Sequence, residues 1–378
     1  MIDPVRQEII AGAHTVVVKV GTNVLTREDG TLEPANLQAL ADQMHRIRQS
    51  GRRVVLVSSG AIGAGIGRLG LPARPTEMRQ LQACAAIGQN YLMRAWDDCF
   101  ARHQTPTAQI LLTAGDFDSR SRYLNMRNTL LTLFEWGCVP IINENDTIST
   151  AEIRFGDNDH LAALVTNLLQ APLLILLTIV PGLYTADPNT DPDAKHIPTV
   201  EKIDGEVMDR AGAGKSSLGT GGMRSKLRAA RLATVAGESV IMAGGRQPNG
   251  LDRIFAGEPV GTLFLPQAST MPAWKRWLGF ATQSRGRIVV DLGAQRALIE
   301  QGKSLLPIGI VQVVGTFSKG DVVSVCGPDG TEFARGLSNY PSTAVDRIRG
   351  LRTEQVRDAL GTLPYEEVVH RDNLALVT

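Results

Sequence analysis

Cysteine is scarce. Cys84, Cys99, Cys138 and Cys326 are scattered, with no CxxC pair and no histidine at ligand spacing, so a disulfide framework or zinc module is not expected and the thiols are predicted to be reduced. Long apolar runs are missing as well. The longest, at 171–180, is interrupted by Pro172 and falls short of the ~18–20 residues a membrane span needs. The N-terminus MIDPVRQEIIAGAH lacks the basic-then-apolar order of a signal peptide, and a soluble, cytoplasmic chain is expected. No charge sign dominates. The 39 Lys and Arg against 38 Asp and Glu give a formal net charge of +1, which offers no footprint for nucleic acid or an anionic membrane. Internal repeats and low-complexity tracts are absent too.

What is present is an alternation. TVVVKVG at 15–21 is a β-branched run, and the stripe Leu37, Leu40, Ala41, Met44 and Ile47 has helical spacing and closes at Gly51 as a C-cap. VVLVSSG at 54–60 reads as a buried strand followed by a glycine-rich loop, with helices predicted over 77–102 and 121–136. Strand 139–143, helix 159–170, strand 173–178, helix 224–236 and strand 239–244 continue the series. Apolar strands alternating with helices predict an α/β fold, a mostly parallel central sheet between helical layers. The chain of 378 residues exceeds the ~250–300 at which one core stops growing, so a second domain is expected. Periodicity weakens after Leu265. Residues 1–266 therefore form the first domain, 267–284 a linker, and 285–378 a small β-rich domain with hairpin chemistry in VVSVC, GPDG and TEFARGL.

Two glycine motifs fail on context. GIGRLG at 65–70 fits GxGxxG, but Pro72 and Pro75 follow where a dinucleotide fold needs a helix. DRAGAGKS at 209–216 nearly matches a Walker A loop, with aspartate where the first glycine belongs. Other features converge. Lys19 lies on an otherwise apolar strand just before Gly21-Thr22. Such a lysine either snorkels at a sheet edge or faces a ligand at the strand ends, where α/β sheets bind ligands. Ser58-Ser59-Gly60-Ala61 ends the next strand in the same way, as an ordinary polar turn or as a second wall of that crevice. GTGGMRSK at 219–226 is a glycine nest leading into a helix, an arrangement that attracts anions. Lys226 is then at the wrong end of the helix dipole unless an anion offsets it.

The acidic stretch at 142–160 holds five carboxylates and three asparagines against one arginine. Acid at a helix start is often capping, which suffices for Asp157 alone. As a set, Asn143, Glu144, Asn145, Asp146, Asp157, Asn158 and Asp159 reach the crevice that also receives Lys19 and Lys226. Lysines beside glycine loops suggest phosphoryl transfer, in which positioning and charge neutralisation do most of the catalysis.

The segments VKVGTNVL, VSSGAIGAG, INENDT, FGDND, GLYTADP and GTGGMRSK, in that order, resemble the glutamate 5-kinases of the amino acid kinase family. GRIVVDLGA, SLLPIGI and GTFSKGDVVSV look like a PUA domain. The resemblance implies ATP-dependent phosphorylation of the γ-carboxylate of L-glutamate to γ-glutamyl phosphate, the first step of proline biosynthesis, with feedback inhibition by proline. By the same resemblance Lys19 and Lys226 contact phosphates and Asp159 holds both. Ser59, Asp146 and Asn158 match substrate positions, with Gly60, Asn143 and Asp157 close by. Lys19, Gly21, Thr178, Ile179 and the loop Thr220, Gly221, Gly222, Met223, Arg224, Ser225 and Lys226 match nucleotide positions. Mg²⁺ would arrive with ATP, and no protein ligand for it is identified. Ile179 departs from the family, which usually has aspartate there, and puts nucleotide affinity or selectivity in question.

The resemblance further implies a homo-oligomer, dimer or tetramer. A chain ending at Thr378 has no fused reductase, so hand-off of the acyl phosphate to a separate glutamyl-phosphate reductase is expected. PUA domains elsewhere bind RNA, but 285–378 carries eleven Lys/Arg and eleven Asp/Glu, so a structural or regulatory role is favoured. Two rival readings remain: another carboxylate kinase such as acetylglutamate kinase, and an RNA-binding regulator with a degenerate kinase domain.

Overall fold

The computed structural model describes residues 3–27, 29–148, 158–188, 190–210, 222–267, 275, 278–279, 282–361 and 365–377. The chain divides into two compact units, Met1–Asp116 with Ser121–Ser269, and Phe117–Arg120 with Thr270–Thr378.

The first stretch runs α1 (Pro4–Gly12), β1 (Thr15–Val20), α2 (Thr22–Leu25), α3 (Pro34–Gln49), β2 (Arg53–Ser58), α4 (Ala61–Leu69), α5 (Met78–Ala101) and β3 (Thr107–Leu112). It continues through α6 (Arg120–Glu135), β4 (Val139–Glu144), α7 (Asn158–Leu169), β5 (Leu173–Thr178), β6 (Leu183–Tyr184), β7 (His196–Ile197) and β8 (Thr199–Val200). Then come α8 (Gly205–Arg210), α9 (Met223–Val235), β9 (Ser239–Gly244), α10 (Gly250–Phe255) and β10 (Thr262–Phe264). Local chemistry explains several starts. Asp3 accepts from the Val5 and Arg6 backbone N–H groups to cap α1, and α3 opens on Pro34.

The eight-stranded sheet has the order β3-β4-β2-β1-β5-β9-β10-β8. Its first six strands are parallel, and β10 is antiparallel to β9. Every residue of β1, β4, β5 and β9 is buried, because helices cover both faces, and this is why those strands read as unbroken apolar runs. Strands β2, β4 and β3 fill one side of β1 before the chain returns to lay β5 along its other edge. Strand order reverses between β1 and β5, and their carboxyl ends open into the crevice where such sheets bind ligands.

The structure differs from the expected glycine-rich loop after β2: residues 61–69 are helix α4. The glycines serve packing. A Cβ on Gly88 of α5 would stand 1.8 Å from the Ala61 carbonyl oxygen, and one on Gly65 only 1.9 Å from that of Cys84. Only glycine lets α4 and α5 approach this closely, so tertiary contact outweighs its poor helix propensity. GIGRLG is thus a helix-packing surface and its C-cap, with Gly70 at φ +63°, and it does not form a strand-to-helix turn. Edge strand β3, half exposed along most of its length, is also absent from the expected series.

The second unit holds a five-stranded sheet, β12-β11-β13-β14-β15 in order, formed by β11 (Gly286–Val290), β12 (Ile310–Val314), β13 (Val322–Cys326), β14 (Glu332–Leu337) and β15 (Leu374–Leu376). Its strands β13 and β14 form an antiparallel hairpin across 327–331. Ile288, Val290, Val323, Val325, Phe333, Tyr340 and Val345 belong to its separate core. Among the described residues no helix is long and apolar enough to cross a membrane.

Close packing at Gly88 is testable. Gly88→Ala is expected to lower the unfolding free energy by about 1–3 kcal/mol or more, as overpacking does. Gly12→Ala, at a helical glycine with nothing within 4 Å of an added Cβ, should be neutral or stabilising by up to about 1 kcal/mol. Urea titrations of both variants check the contrast.

Candidate active site

Strand β1 carries Lys19 one residue before its end, with 5% exposure. Its Nζ lies 2.5 Å from Oδ1 of Asp159, the second residue of α7, which is 1% exposed. The other carboxylate oxygen, Oδ2, accepts from Lys226 Nζ at 3.0 Å and from Ser225 Oγ at 3.2 Å. Lys226, 7% exposed, comes from the first turns of α9. One buried carboxylate thus joins two ammonium groups delivered by a strand and a helix. Burial pushes the Asp159 carboxyl up, but the charges of Lys19 and Lys226 and the hydrogen bonds from both outweigh it and hold the group below the ordinary carboxylate range. Asp159 also supplies the anion that offsets Lys226 at the unfavourable end of α9.

A chain of amides extends from this point. Asn158 Nδ2 donates to Asn143 Oδ1 at 3.0 Å, and that oxygen also accepts the Glu144 backbone N–H at 2.9 Å. Asn158 Oδ1 accepts from the same N–H at 3.3 Å. Asn143 Nδ2 donates to Gln89 Oε1 of α5 at 2.7 Å. Asp146, half-buried, follows the end of β4. Burial lowers the pKa of the Arg74 guanidinium, and the charge of Asp146 opposes that shift. Strand β2 pairs with β4 and ends beside it. The Ser59 backbone N–H donates to Val20 O at 3.0 Å, and Gly60, at φ +109°, turns the chain into α4. Ser58 is fixed behind it, accepting from Trp96 Nε1 at 2.9 Å.

The remaining residues line the β1–β5 side. Gly21 N–H donates to Leu177 O at 3.1 Å, and an added Cβ there would lie 3.7 Å from Lys19 Nζ. Thr178 is buried at the end of β5, whereas Ile179 is 51% exposed. Gly222 is the N-cap of α9 with no side-chain cap, and no acidic residue occupies the first turn. Met223 and Ser225 are half-buried and Arg224 exposed. The N–H groups of this turn are suited to an anion. Asp157, Thr220 and Gly221 lie outside the described residues. Gln89 and Arg74 were not foreseen from sequence: Gln89 lies mid-helix, and its only signal is the neighbouring Gly88 that brings α5 against α4.

The Lys19–Asp159–Lys226 group generates a stability prediction. Asp159→Asn leaves two buried ammonium groups without their shared carboxylate and is expected to cost about 3–5 kcal/mol at neutral pH. A depressed carboxyl pKa stabilises fully above the unfolded value of about 3.9 and progressively less as pH falls through the folded one. The gap between wild type and Asp159→Asn, read from denaturant unfolding, should therefore be constant near neutrality and shrink below about pH 4.

The amino acid kinase family model matches residues 14–243 and the PUA domain model residues 286–360. A glutamate 5-kinase of Geobacter sp. (strain M21) is 46% identical over 372 residues, spanning 98% of this chain and 100% of that protein. One from Moorella thermoacetica is 46% identical over 368 residues, 97% of each chain. One from Pseudomonas putida (strain W619) is 47% identical over 368 residues, 97% of this chain and 99% of its own. Identity at this level along nearly the whole length places the chain, with its C-terminal PUA domain, among the glutamate 5-kinases of the amino acid kinase family.

Proposed function

We propose that the protein transfers the γ-phosphoryl group of ATP to the γ-carboxylate of L-glutamate, forming γ-glutamyl phosphate and ADP in the cytoplasm as the first step of proline biosynthesis. The observation that carries this reading is the buried Asp159 carboxylate bridging Lys19 and Lys226 where β1 and β5 open. A glutamate carboxylate, with an ordinary pKa near ~4.3, is already ionised at neutral pH and needs no general base. Its oxygen attacks the γ-phosphorus, and the bond to the β–γ bridging oxygen breaks with its electron pair leaving on ADP.

The barrier is repulsion between an anionic nucleophile and a polyanionic donor. In this reading Lys19 and Lys226 neutralise the transferred group, while Asp159 keeps both lysines aimed. The N–H groups at the start of α9, with Gly222 to Lys226, hold phosphates. Gly21, Thr178, Ile179, Thr220 and Gly221 complete the nucleotide side. Ser59, Gly60, Asn143, Asp146, Asp157 and Asn158 form the glutamate side. ATP enters as its magnesium complex, in which the ion shields phosphate charge. Residues 1–266 act as the catalytic domain and 267–284 as a linker. Residues 285–378 act as a structural or regulatory domain, their balanced charge speaking against RNA. Assembly into a dimer or tetramer, feedback inhibition by proline at the glutamate pocket, and delivery of the labile acyl phosphate to a separate reductase belong to the same reading.

With ATP, Mg²⁺ and hydroxylamine, L-glutamate should give hydroxamate and N-acetyl-L-glutamate should not. Product from the acetylated substrate alone would make the protein an acetylglutamate kinase, and salt-dependent RNA retention without turnover would favour a non-catalytic regulator. Lys226→Met is expected to lower kcat by roughly 10²–10³, the usual cost of one preorganised charge donor. Proline inhibition should weaken in Asn158→Ala along with glutamate affinity. Unaltered inhibition in that variant would separate the two sites.

A further inference from the structure

We propose that Gln89 recognises the α-carboxylate of the acceptor amino acid, its side-chain Nε2 donating a hydrogen bond to a carboxylate oxygen. The inference rests on the reading of this crevice as a glutamate site, and it adds a recognition residue on α5, an element to which that reading assigned no role.

Asn143 Oδ1 is committed as an acceptor, taking Asn158 Nδ2 at 3.0 Å and the Glu144 N–H at 2.9 Å. The Asn143 amide must then present its NH₂ group to Gln89, and Gln89 must answer with Oε1, at 2.7 Å. The relay therefore sets which corner of the Gln89 amide remains. That corner, Nε2, is buried and has no hydrogen-bond partner among the described residues. An orphaned buried amide donor is costly, and in native proteins such a group calls for an explanation. Gln89 lines a small cleft with Ala61, Ala85, Glu144 and Asp146, so a ligand in the cleft can supply the acceptor.

The neighbouring chemistry sets the kind of ligand. The carboxyl side chains of Glu144 and Asp146 belong to residues lining the same cleft and bring acceptor oxygens, which suits an ammonium group, whereas Gln89 Nε2 brings a donor, which suits a carboxylate. A ligand bearing both on one carbon is an α-amino acid. Its orientation follows from the order of the relay, which runs from Lys226 and Asp159 through the adjacent Asn158 and Asn143 to Gln89. The reacting γ-carboxylate belongs at the lysine end, and the α-carboxylate at the Gln89 end. Gly88 sets the depth of the donor by allowing α5 to touch the Ala61 carbonyl.

Gln89→Glu separates recognition from structure. A glutamate carboxylate can still accept from Asn143 Nδ2, which keeps the relay, but it replaces the donor with an anionic acceptor. Isothermal titration calorimetry would measure binding of L-glutamate and of its α-amide, isoglutamine, to both proteins. Wild type should bind L-glutamate more tightly than the α-amide. The variant should lose roughly ten- to a hundredfold in L-glutamate affinity and reverse the preference, because the α-amide NH₂ can donate to the new carboxylate. KM for ATP should change less than twofold. A wild type that binds the α-amide as tightly as L-glutamate overturns the assignment even if the variant does not fold, and so does an unshifted L-glutamate affinity in a folded variant. Absence of L-glutamate binding to the wild type overturns the assignment together with the glutamate reading. Binding with the expected preferences but no hydroxamate formed would defeat the proposed reaction and leave the role of Gln89 standing.

Discussion

The carboxylate of Asp159, buried between two ammonium groups, is the constraint around which the first unit is arranged. Three charges in a site this dry are a poor means of gaining stability: apolar side chains of the same volume commonly do as well or better, and breaking such a group is expensive. Their value lies in placement. Lys19 comes from β1, Asp159 from the start of α7 and Lys226 from the start of α9, so the group ties a central strand to two helices at the point where strand order reverses. Among the described residues two ammonium groups share the Asp159 carboxylate there, an arrangement whose local field favours anions. An apolar substitute would keep the fold and lose that field.

The same economy governs the other wall of the crevice, where uncharged groups do the positioning. Asn158 is adjacent in sequence to Asp159, so the ion group and the amide relay share the first turn of α7. Ordering one orders the other. The relay reaches α5 only because Gly65 and Gly88 remove the side chains that would hold α4 and α5 apart. Glycine in mid-helix costs each helix something in propensity, and close approach is what the fold receives in return. The glycines of this region thus act on the site at one remove, by setting the distance between two helices.

How much of this was legible in sequence depended on whether a residue's role is local. The strands β1, β4, β5 and β9 are covered on both faces, so each is a continuous apolar run that is visible without any partner. Edge strand β3 has no such run, because part of it faces outward. Lys19 stood out as a charge inside an apolar strand and Lys226 as a cation at the wrong end of a helix, both anomalies that a sequence displays. Helix α4 did not stand out, because glycine propensity argues against a helix and only the contact with α5 reverses it. Gln89 was silent for a similar reason. A glutamine within a long helix resembles any solvated position, and its significance lies in a bond to Asn143, 54 residues away in the chain.

A carboxylate nucleophile changes what a kinase site must provide. With no proton to remove, no base is needed at the attacking atom, and the side chains can be given over to holding like charges together. In the proposed reading this divides the crevice, with lysines and backbone N–H groups assigned to the phosphates and carboxylates and amides to the amino acid. It also explains why the carboxylates of the acidic stretch are divided. Asp159 is turned inward, buried and bound to lysines, whereas Asp146 remains half-buried beside the cleft. If both were oriented toward the substrate, the lysines would have no fixed partner and the pocket would repel the anion it must accept. In the proposed reading, one carboxylate that fixes the lysines and one assigned to an ammonium group let the site hold an anionic nucleophile and an anionic donor at the same time.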